Sequence, residues 1–168
     1  MEYLFLKRKK ASFVSQRQKD LLFDAAEKQW RKEFVAGGIE TRKVDLDIYK
    51  SLLYFLEIKQ VFLDPKLSLK KLSMMIETNQ TYLSNVINRY FGCCLKKLVN
   101  SYRIEYAKEL LRAGNCPLKE LPQRSGFTSK SAFYAAFGRQ SGYTPKRYMT
   151  YKWKYEMRAQ HSESINYV

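Results

Sequence analysis

The apolar residues of this chain recur at the three- and four-residue spacing of amphipathic helices. Over residues 14–36 this spacing predicts one helix, which the poor helix formers Gly37 and Gly38 should end. From Asp45 onward the same period repeats, and no stretch shows the alternation typical of a strand. The expected apolar side of the first helix comprises Leu21, Leu22, Ala25, Trp30 and Phe34.

Capping residues divide the rest of the chain into further helices. Asp45 is expected to cap a helix that ends at Asp64–Pro65, because a residue before proline avoids the helical region. Ser68 should cap a short helix that ends near Glu77. Asn79 should then cap a third helix, which Gly92 stops near residue 91.

The short helix, tight turn and longer helix then occur a second time. A long helix over about 94–113 precedes a brief one over 118–125, and Gly126–Phe127 forms the turn. Thr128 is expected to cap the helix that follows, which ends near residue 140. Thr144–Pro145 opens a last helix that carries Trp153 and Tyr155 toward the tail.

These elements predict an all-α fold with two helix-turn-helix units, at about 69–91 and 118–140, joined by the linker helix. The expected domains are a basic helical extension or linker over 1–44, a main domain over 45–158, and a flexible tail over 159–168.

Charge adds an expected partner to this organisation. The 168 residues include 31 Lys and Arg against 16 Asp and Glu, a net charge of +15, while 45% hydrophobic content is normal for a globular protein. Residues 1–44 carry +5 of this and residues 45–168 carry +10. A nucleic acid is the favoured polyanion, and an acidic membrane surface or protein is the alternative.

The residues for catalysis and metal binding are sparse. Cys93, Cys94 and Cys116 are odd in number, and His161 is the single histidine, so neither a disulfide framework nor a zinc site is expected. No nucleophile–base set and no phosphate loop is visible, so we expect no enzyme activity, no catalytic residue, no cofactor, no bound metal and no small-molecule site. A reduced, cytoplasmic setting fits this cysteine usage.

The first ten residues leave one alternative open. Tyr3–Leu6 is apolar and Lys7–Lys10 is basic, an order typical of the cytosolic flank of a membrane helix. No run of about 18 apolar residues is present. Residues 1–44 could thus be a helix packed on the main domain, a dimerising helix, or the cytosolic stub of a larger membrane-anchored sensor.

The second unit carries a specific resemblance. Its Leu118–Leu121, Gly126–Phe127, Gly142 and Thr144–Pro145, with Ser131, Phe133 and Phe137 between them, resemble the signature of the AraC/XylS family of transcription regulators. The first unit also follows the pattern of this family, and the resemblance covers about residues 45–150. It implies a homeodomain-like pair of subdomains that insert two recognition helices into double-stranded DNA, about 34 Å apart.

The resemblance also implies which side chains meet DNA. In the first unit, base readers are expected at Thr81, Ser84 and Asn85, and the same outward side offers Gln80 and Asn88. In the second unit the exposed side chains expected to read bases are Ser129, Lys130 and Tyr134. Phosphate contacts are expected from basic side chains around both units: Arg89, Lys96, Lys97, Arg139, Lys146 and Arg147.

Several positions depart from the family pattern. Pro122 and Ser125 lie in the brief helix, where the family usually has an alanine and an apolar residue. Ala135 and Gly138 stand where the family often has basic residues, so the second unit is expected either to bind DNA less firmly than the first or to make only shape contacts. Phe133 and Phe137 should be core residues, and Arg103 should pack rather than touch DNA.

Partners beyond DNA follow only from the family. RNA polymerase, a second copy of the chain and an upstream sensor domain are the candidates. The rival class is a DNA-free helical interaction module, which predicts no affinity for duplex DNA.

Overall fold

A computed structural model describes residues 15–114 and 116–151. Within those ranges the chain is helical and contains no strand, as predicted. The chain divides into two compact units after Val99. The predictions for Tyr3–Lys10, for Trp153 and Tyr155, and for the tail over 159–168 lie outside the described residues.

The first helix, α1, spans Gln16–Trp30 and continues as a wider π-helical turn over Arg31–Val35. Ser15 and Gln18 form a reciprocal capping box at its start. Its buried residues are Leu22, Ala26, Trp30 and Phe34. The prediction for Leu21 was wrong, since its side chain is 58% exposed. Phe34 lies beside Trp30, four residues earlier, with ring centroids 5.1 Å apart.

Helix α2 spans Lys43–Leu53 and continues as a π-helical turn over Tyr54–Ile58. A short 3-10 turn over Val61–Leu63 follows, and the helical path ends before Pro65 as predicted. The prediction that Asp45 caps this helix was wrong. Arg42 occupies the N-cap position, while Asp45 is the third helical residue and is 1% exposed.

Helices α3 (Leu69–Ile76) and α4 (Gln80–Phe91) form the first helix-turn-helix pair. Ser68 Oγ accepts from Lys71 N–H at 3.2 Å, and Asn79 Oδ1 accepts from Tyr82 N–H at 2.7 Å, which confirms both caps. Gly92 ends α4 with φ of 64°, a left-handed conformation that glycine adopts without strain. Both helices pack against α2 within the first unit.

An aromatic cluster joins α1, α2 and α4. The Trp30 ring lies 4.2 Å from the Tyr90 ring and 5.1 Å from the Tyr49 ring, measured between centroids. Phe34 lies 4.9 Å from Tyr90. Aromatic contacts at this range stabilise the fold beyond the effect of their buried area. The N-terminal segment, residues 1–44, therefore contributes Trp30 and Phe34 to the core of the first unit.

Helix α5 spans Leu95–Arg112 and contains the boundary between the units. The second unit also contains α6 (Leu121–Arg124), α7 (Lys130–Ser141) and α8 over residues 145–151. Thr144 Oγ1 accepts from Arg147 N–H at 3.3 Å, so Thr144–Pro145 opens α8 as predicted. The core of this unit comprises Ile104, Ala107, Leu111, Leu121, Phe127, Phe133, Ala136 and Phe137.

Two local predictions in the second unit need correction. Helix α6 begins at Leu121 rather than Leu118, because residues 118–120 form a turn closed by Glu120 N–H on the Pro117 carbonyl. The cap of α7 is Ser129, whose Oγ accepts from Ala132 N–H at 3.2 Å, and Thr128 precedes it.

The departures Pro122 and Ser125 are accommodated within α6. Pro122 lies in the first turn, where a helix has no internal partner for a backbone N–H, so its missing donor costs little. Ser125 is fully buried, and its Oγ donates to the Leu121 carbonyl at 2.6 Å. The hydroxyl group of this buried side chain therefore has the hydrogen-bond partner that burial requires.

Candidate nucleic-acid interface

The outer face of α4 is polar and open. Gln80, Thr81, Asn85 and Asn88 are exposed, and Ser84 is half-buried. Leu83, Val86 and Ile87, on the opposite side of the helix, are buried. One side of α4 thus presents short hydroxyl and amide side chains while the other side anchors the helix in the first unit.

Asp45 ties this helix to α2. Its Oδ1 accepts from the Tyr82 hydroxyl at 2.9 Å, and its Oδ2 accepts from the Tyr90 hydroxyl at 2.8 Å. Arg42 donates through Nη2 to Oδ1 at 3.2 Å and through Nε to Oδ2 at 3.4 Å. A buried carboxylate is stable only with such partners, and these donors satisfy both of its oxygens.

The charges in this network favour the ionised carboxylate. Burial alone would raise the pKa of Asp45, but the hydrogen bonds from Tyr90, Tyr82 and Arg42 outweigh burial, so its pKa lies below the ordinary value. Burial and the bond to Asp45 together raise the pKa of Tyr90 to about 12. Both tyrosines therefore remain donors, and the network holds its charge state through the neutral pH range.

Basic side chains lie at the margins of α4. Arg89 is exposed, and its Nη2 donates to the Glu40 carbonyl at 2.6 Å. Lys96 and Lys97 are exposed at the start of α5. Arg89 therefore links the end of α4 to the loop before α2, which the sequence did not reveal.

In the second unit, α7 also has one exposed side and one buried side. Lys130, Tyr134 and Arg139 are exposed, while Phe133 and Phe137 are fully buried as predicted. The Ser129 hydroxyl is exposed but serves as the helix cap. Ala135 is exposed, and an added Cβ at Gly138 would meet nothing within 4 Å.

The remaining predicted residues occupy two different surroundings. Lys146 and Arg147 are exposed on α8, and the Arg147 guanidinium lies 5.6 Å from the Tyr143 ring centroid. Arg103 is half-buried, and its guanidinium lies 5.5 Å from the Phe127 ring centroid. This contact agrees with the predicted packing role of Arg103.

The acidic residues are distributed unevenly along the sequence. None lies between Glu77 and Glu105, a stretch that contains α4 and four basic residues. None lies between Glu120 and Glu156, a stretch that contains α7 and seven basic residues. Helices α4 and α7 therefore carry no acidic side chain that would repel a polyanion.

Sequence reasoning missed Asp45 and Arg42 as parts of this site. Asp45 was assigned to a cap because acidic residues favour helix starts. No local pattern distinguishes Asp45 from Asp47, which also lies between two apolar residues but is exposed. Its two tyrosine partners lie 37 and 45 residues away along the chain.

Neither a bilayer-crossing helix nor a metal-holding cluster is found among the described residues. Within residues 15–114 and 116–151, no helix has the length and apolarity that crossing a bilayer requires. In the same residues, no group of three or more His, Cys, Asp or Glu side chains is placed to hold a metal ion.

Comparison with known proteins identifies the domain. A family model described as a helix-turn-helix domain matches residues 72–151. The chain is 25% identical over 85 residues to the melibiose operon regulatory protein of Escherichia coli, covering 51% of this chain and 28% of that protein. It is 31% identical over 86 residues to the probable transcriptional regulator LumQ of Photobacterium leiognathi, covering 51% of this chain and 35% of that one.

A solved structure shares the same fold. The C-terminal domain of AraT, a response regulator from Geobacillus stearothermophilus, matches with a TM-score of 0.54 and 26% identity, covering 62% of this chain and 84% of that one. The chain spans about a third of the length of the curated relatives named above. Its residues 72–151 are an AraC-type helix-turn-helix domain, the family that the sequence resembles.

Proposed function

We propose that this chain is a sequence-specific transcription regulator that binds double-stranded DNA, with α4 and α7 as its recognition helices. The observation that carries the proposal is the outer face of α4, where exposed Thr81, Asn85 and Asn88 stand opposite a buried apolar face. Asn pairs with adenine in the major groove, which presents a distinct pattern for every base pair. Both matched relatives are named as regulators, which supports the same function.

The two helices are proposed to contribute unequally. On α4 the amide and hydroxyl side chains specify bases, with Gln80 and Ser84 beside them. On α7 the exposed side chains near the start of the helix include Lys130 and Tyr134, and the positions of Ala135 and Gly138 offer no long donor. Phosphate contacts come from Arg89, Lys96, Lys97, Arg139, Lys146 and Arg147, which set affinity rather than sequence preference.

The test separates base readers from phosphate contacts. The wild-type chain selects duplexes from a random pool, and binding to the selected duplex and to random duplex is then measured for Asn85→Ala and Lys146→Ala. Asn85→Ala should lose about 1–3 kcal/mol of binding free energy on the selected duplex alone. Lys146→Ala should weaken both duplexes equally and flatten the salt dependence.

Two outcomes contradict the proposal at different levels. Equal losses on both duplexes for both variants would refute the division of roles. An absence of binding to any duplex at moderate salt would refute DNA binding and favour the DNA-free interaction module.

A further inference from the structure

The segment before α2 borders the outer face of α4. The Arg42 guanidinium lies 5.1 Å from the centroid of the Tyr82 ring, and Arg89 donates to the Glu40 carbonyl at 2.6 Å. Tyr82 lies three residues before Asn85 and Arg89 four residues after it, so all three are neighbours on the helix surface. The loop over 40–42 therefore runs along the edge where Asn85 is exposed.

Arg42 is held in place and still open to solvent. Nε and Nη2 of its guanidinium bind Asp45, while its plane lies over Tyr82. The side chain is nevertheless 58% exposed. A guanidinium carries five N–H donors, so this arrangement leaves donors for a second acceptor.

The partner that fits such a group is a phosphate. A planar fork fixed by a carboxylate and a ring loses little freedom when it binds an anion. Asp45 is buried and already accepts from two tyrosine hydroxyls, so it presents no negative charge at the surface. Two guanidinium groups, Arg42 and Arg89, are exposed at this edge against one exposed carboxylate, Glu40, so the net charge here is positive. When a helix enters the major groove, residues beside its inserted face meet the sugar–phosphate backbone.

We propose that Arg42 contacts a DNA phosphate beside the bases that Asn85 reads, so the N-terminal segment is part of the DNA-binding surface. This inference rests on the proposed function, because it requires α4 to enter the groove. It adds a contact from outside the helix-turn-helix match, which begins at residue 72. It also gives a role to part of the charge carried by residues 1–44.

The test compares variants that change charge with variants that keep it. Arg42→Gln removes the charge but keeps an amide donor for Asp45, and Arg42→Lys keeps the charge but loses the fork. Arg31→Gln is the matched control, because Arg31 is 73% exposed, lies in the same N-terminal segment and pairs with Glu27. Binding to the duplex selected by the wild-type chain and to random duplex is measured between about 50 and 200 mM salt.

The expected result is specific to Arg42. Arg42→Gln should bind both duplexes about tenfold more weakly. The slope of log affinity against log salt should become shallower by about 0.9, the value for one phosphate contact. Arg42→Lys and Arg31→Gln should retain the wild-type slope. Thermal melts confirm that each variant is folded at the measuring temperature.

Three results would overturn the inference. An unchanged slope for Arg42→Gln would do so even if affinity fell, since Arg42 would then only position α4. An equal loss of slope in Arg31→Gln would reveal a general charge effect. If the wild-type chain bound no duplex, the proposed function itself would fail. If the wild-type chain bound duplex DNA and only the Arg42 result failed, the proposed function would stand and this inference alone would be refuted.

Discussion

The carboxylate of Asp45 accepts a hydrogen bond from the Tyr90 hydroxyl at 2.8 Å, which joins the first turn of α2 to the last turn of α4. The Tyr90 ring packs at the same time against Trp30 of α1. One tyrosine therefore links the N-terminal segment, α2 and the helix proposed to read DNA. The orientation of α4 depends on side chains far from the helix-turn-helix sequence itself.

The Asp45–Tyr90 bond predicts a stability cost for Tyr90→Phe. The variant keeps the buried ring but removes one donor from an ionised carboxylate, so the free energy of unfolding should fall by about 2 kcal/mol. Urea denaturation measures this difference. Tyr134→Phe is the control, because Tyr134 is exposed and should change stability by less than about 0.5 kcal/mol. Equal midpoints for the two variants would contradict the proposed strength of the bond.

The ion pair between Glu27 and Lys50 predicts a loss of stability in acid. The hydrogen bond from Lys50, followed by that from Arg31, lowers the pKa of Glu27 from 4.5 to about 2. Because the folded-state pKa is depressed, this contribution is complete above about pH 4.5 and disappears as the pH falls toward 2. The pKa of Asp45 is also depressed, so its contribution is lost in acid too.

Glu27→Gln tests the acid prediction. The variant should be less stable than wild type at neutral pH, and the difference should shrink through the window between pH 4.5 and about 2. Denaturant midpoints across this range measure the difference. A gap between the two proteins that stays constant with pH would show that the ion pair is not its source.

The cap of α7 predicts unequal effects of two neighbouring substitutions. Ser129→Ala removes the acceptor for Ala132 N–H and should cost about 1 kcal/mol. Thr128→Ala precedes the cap and should cost less than about 0.5 kcal/mol. Thermal unfolding of both variants measures the costs. The reverse order would restore Thr128 as the cap.

Two glycines predict opposite effects of a single methyl group. A Cβ at Gly37 would lie 2.6 Å from the Glu33 carbonyl oxygen, so Gly37→Ala forces the backbone to move and should cost about 1–3 kcal/mol. Gly138 lies inside α7 with open space around it, so Gly138→Ala should stabilise by about 0.5–1 kcal/mol. Stabilisation by both substitutions would mean that Gly37 is not constrained by its neighbours.

Local signals accounted for most of the helix boundaries. Ser68, Asn79 and Gly92 act within one turn of their own positions, so their roles could be predicted without tertiary information. The predicted cap of α7 was wrong because two neighbouring residues could both cap the helix. Thr128 and Ser129 are both good caps, and only the path of the chain into α7 selects Ser129.

The sequence by itself determined the helical class, most of the helix boundaries and the polar outer face of α4, because helix period and capping depend on near neighbours. Only the tertiary structure decided that Asp45 is a buried acceptor and that Arg42 and Arg89 border the face of α4. Two donors of Asp45, Tyr82 and Tyr90, come from α4, which follows α2 only after the 3-10 turn and α3. Contacts at such separations depend on how the core packs, and no local pattern encodes them.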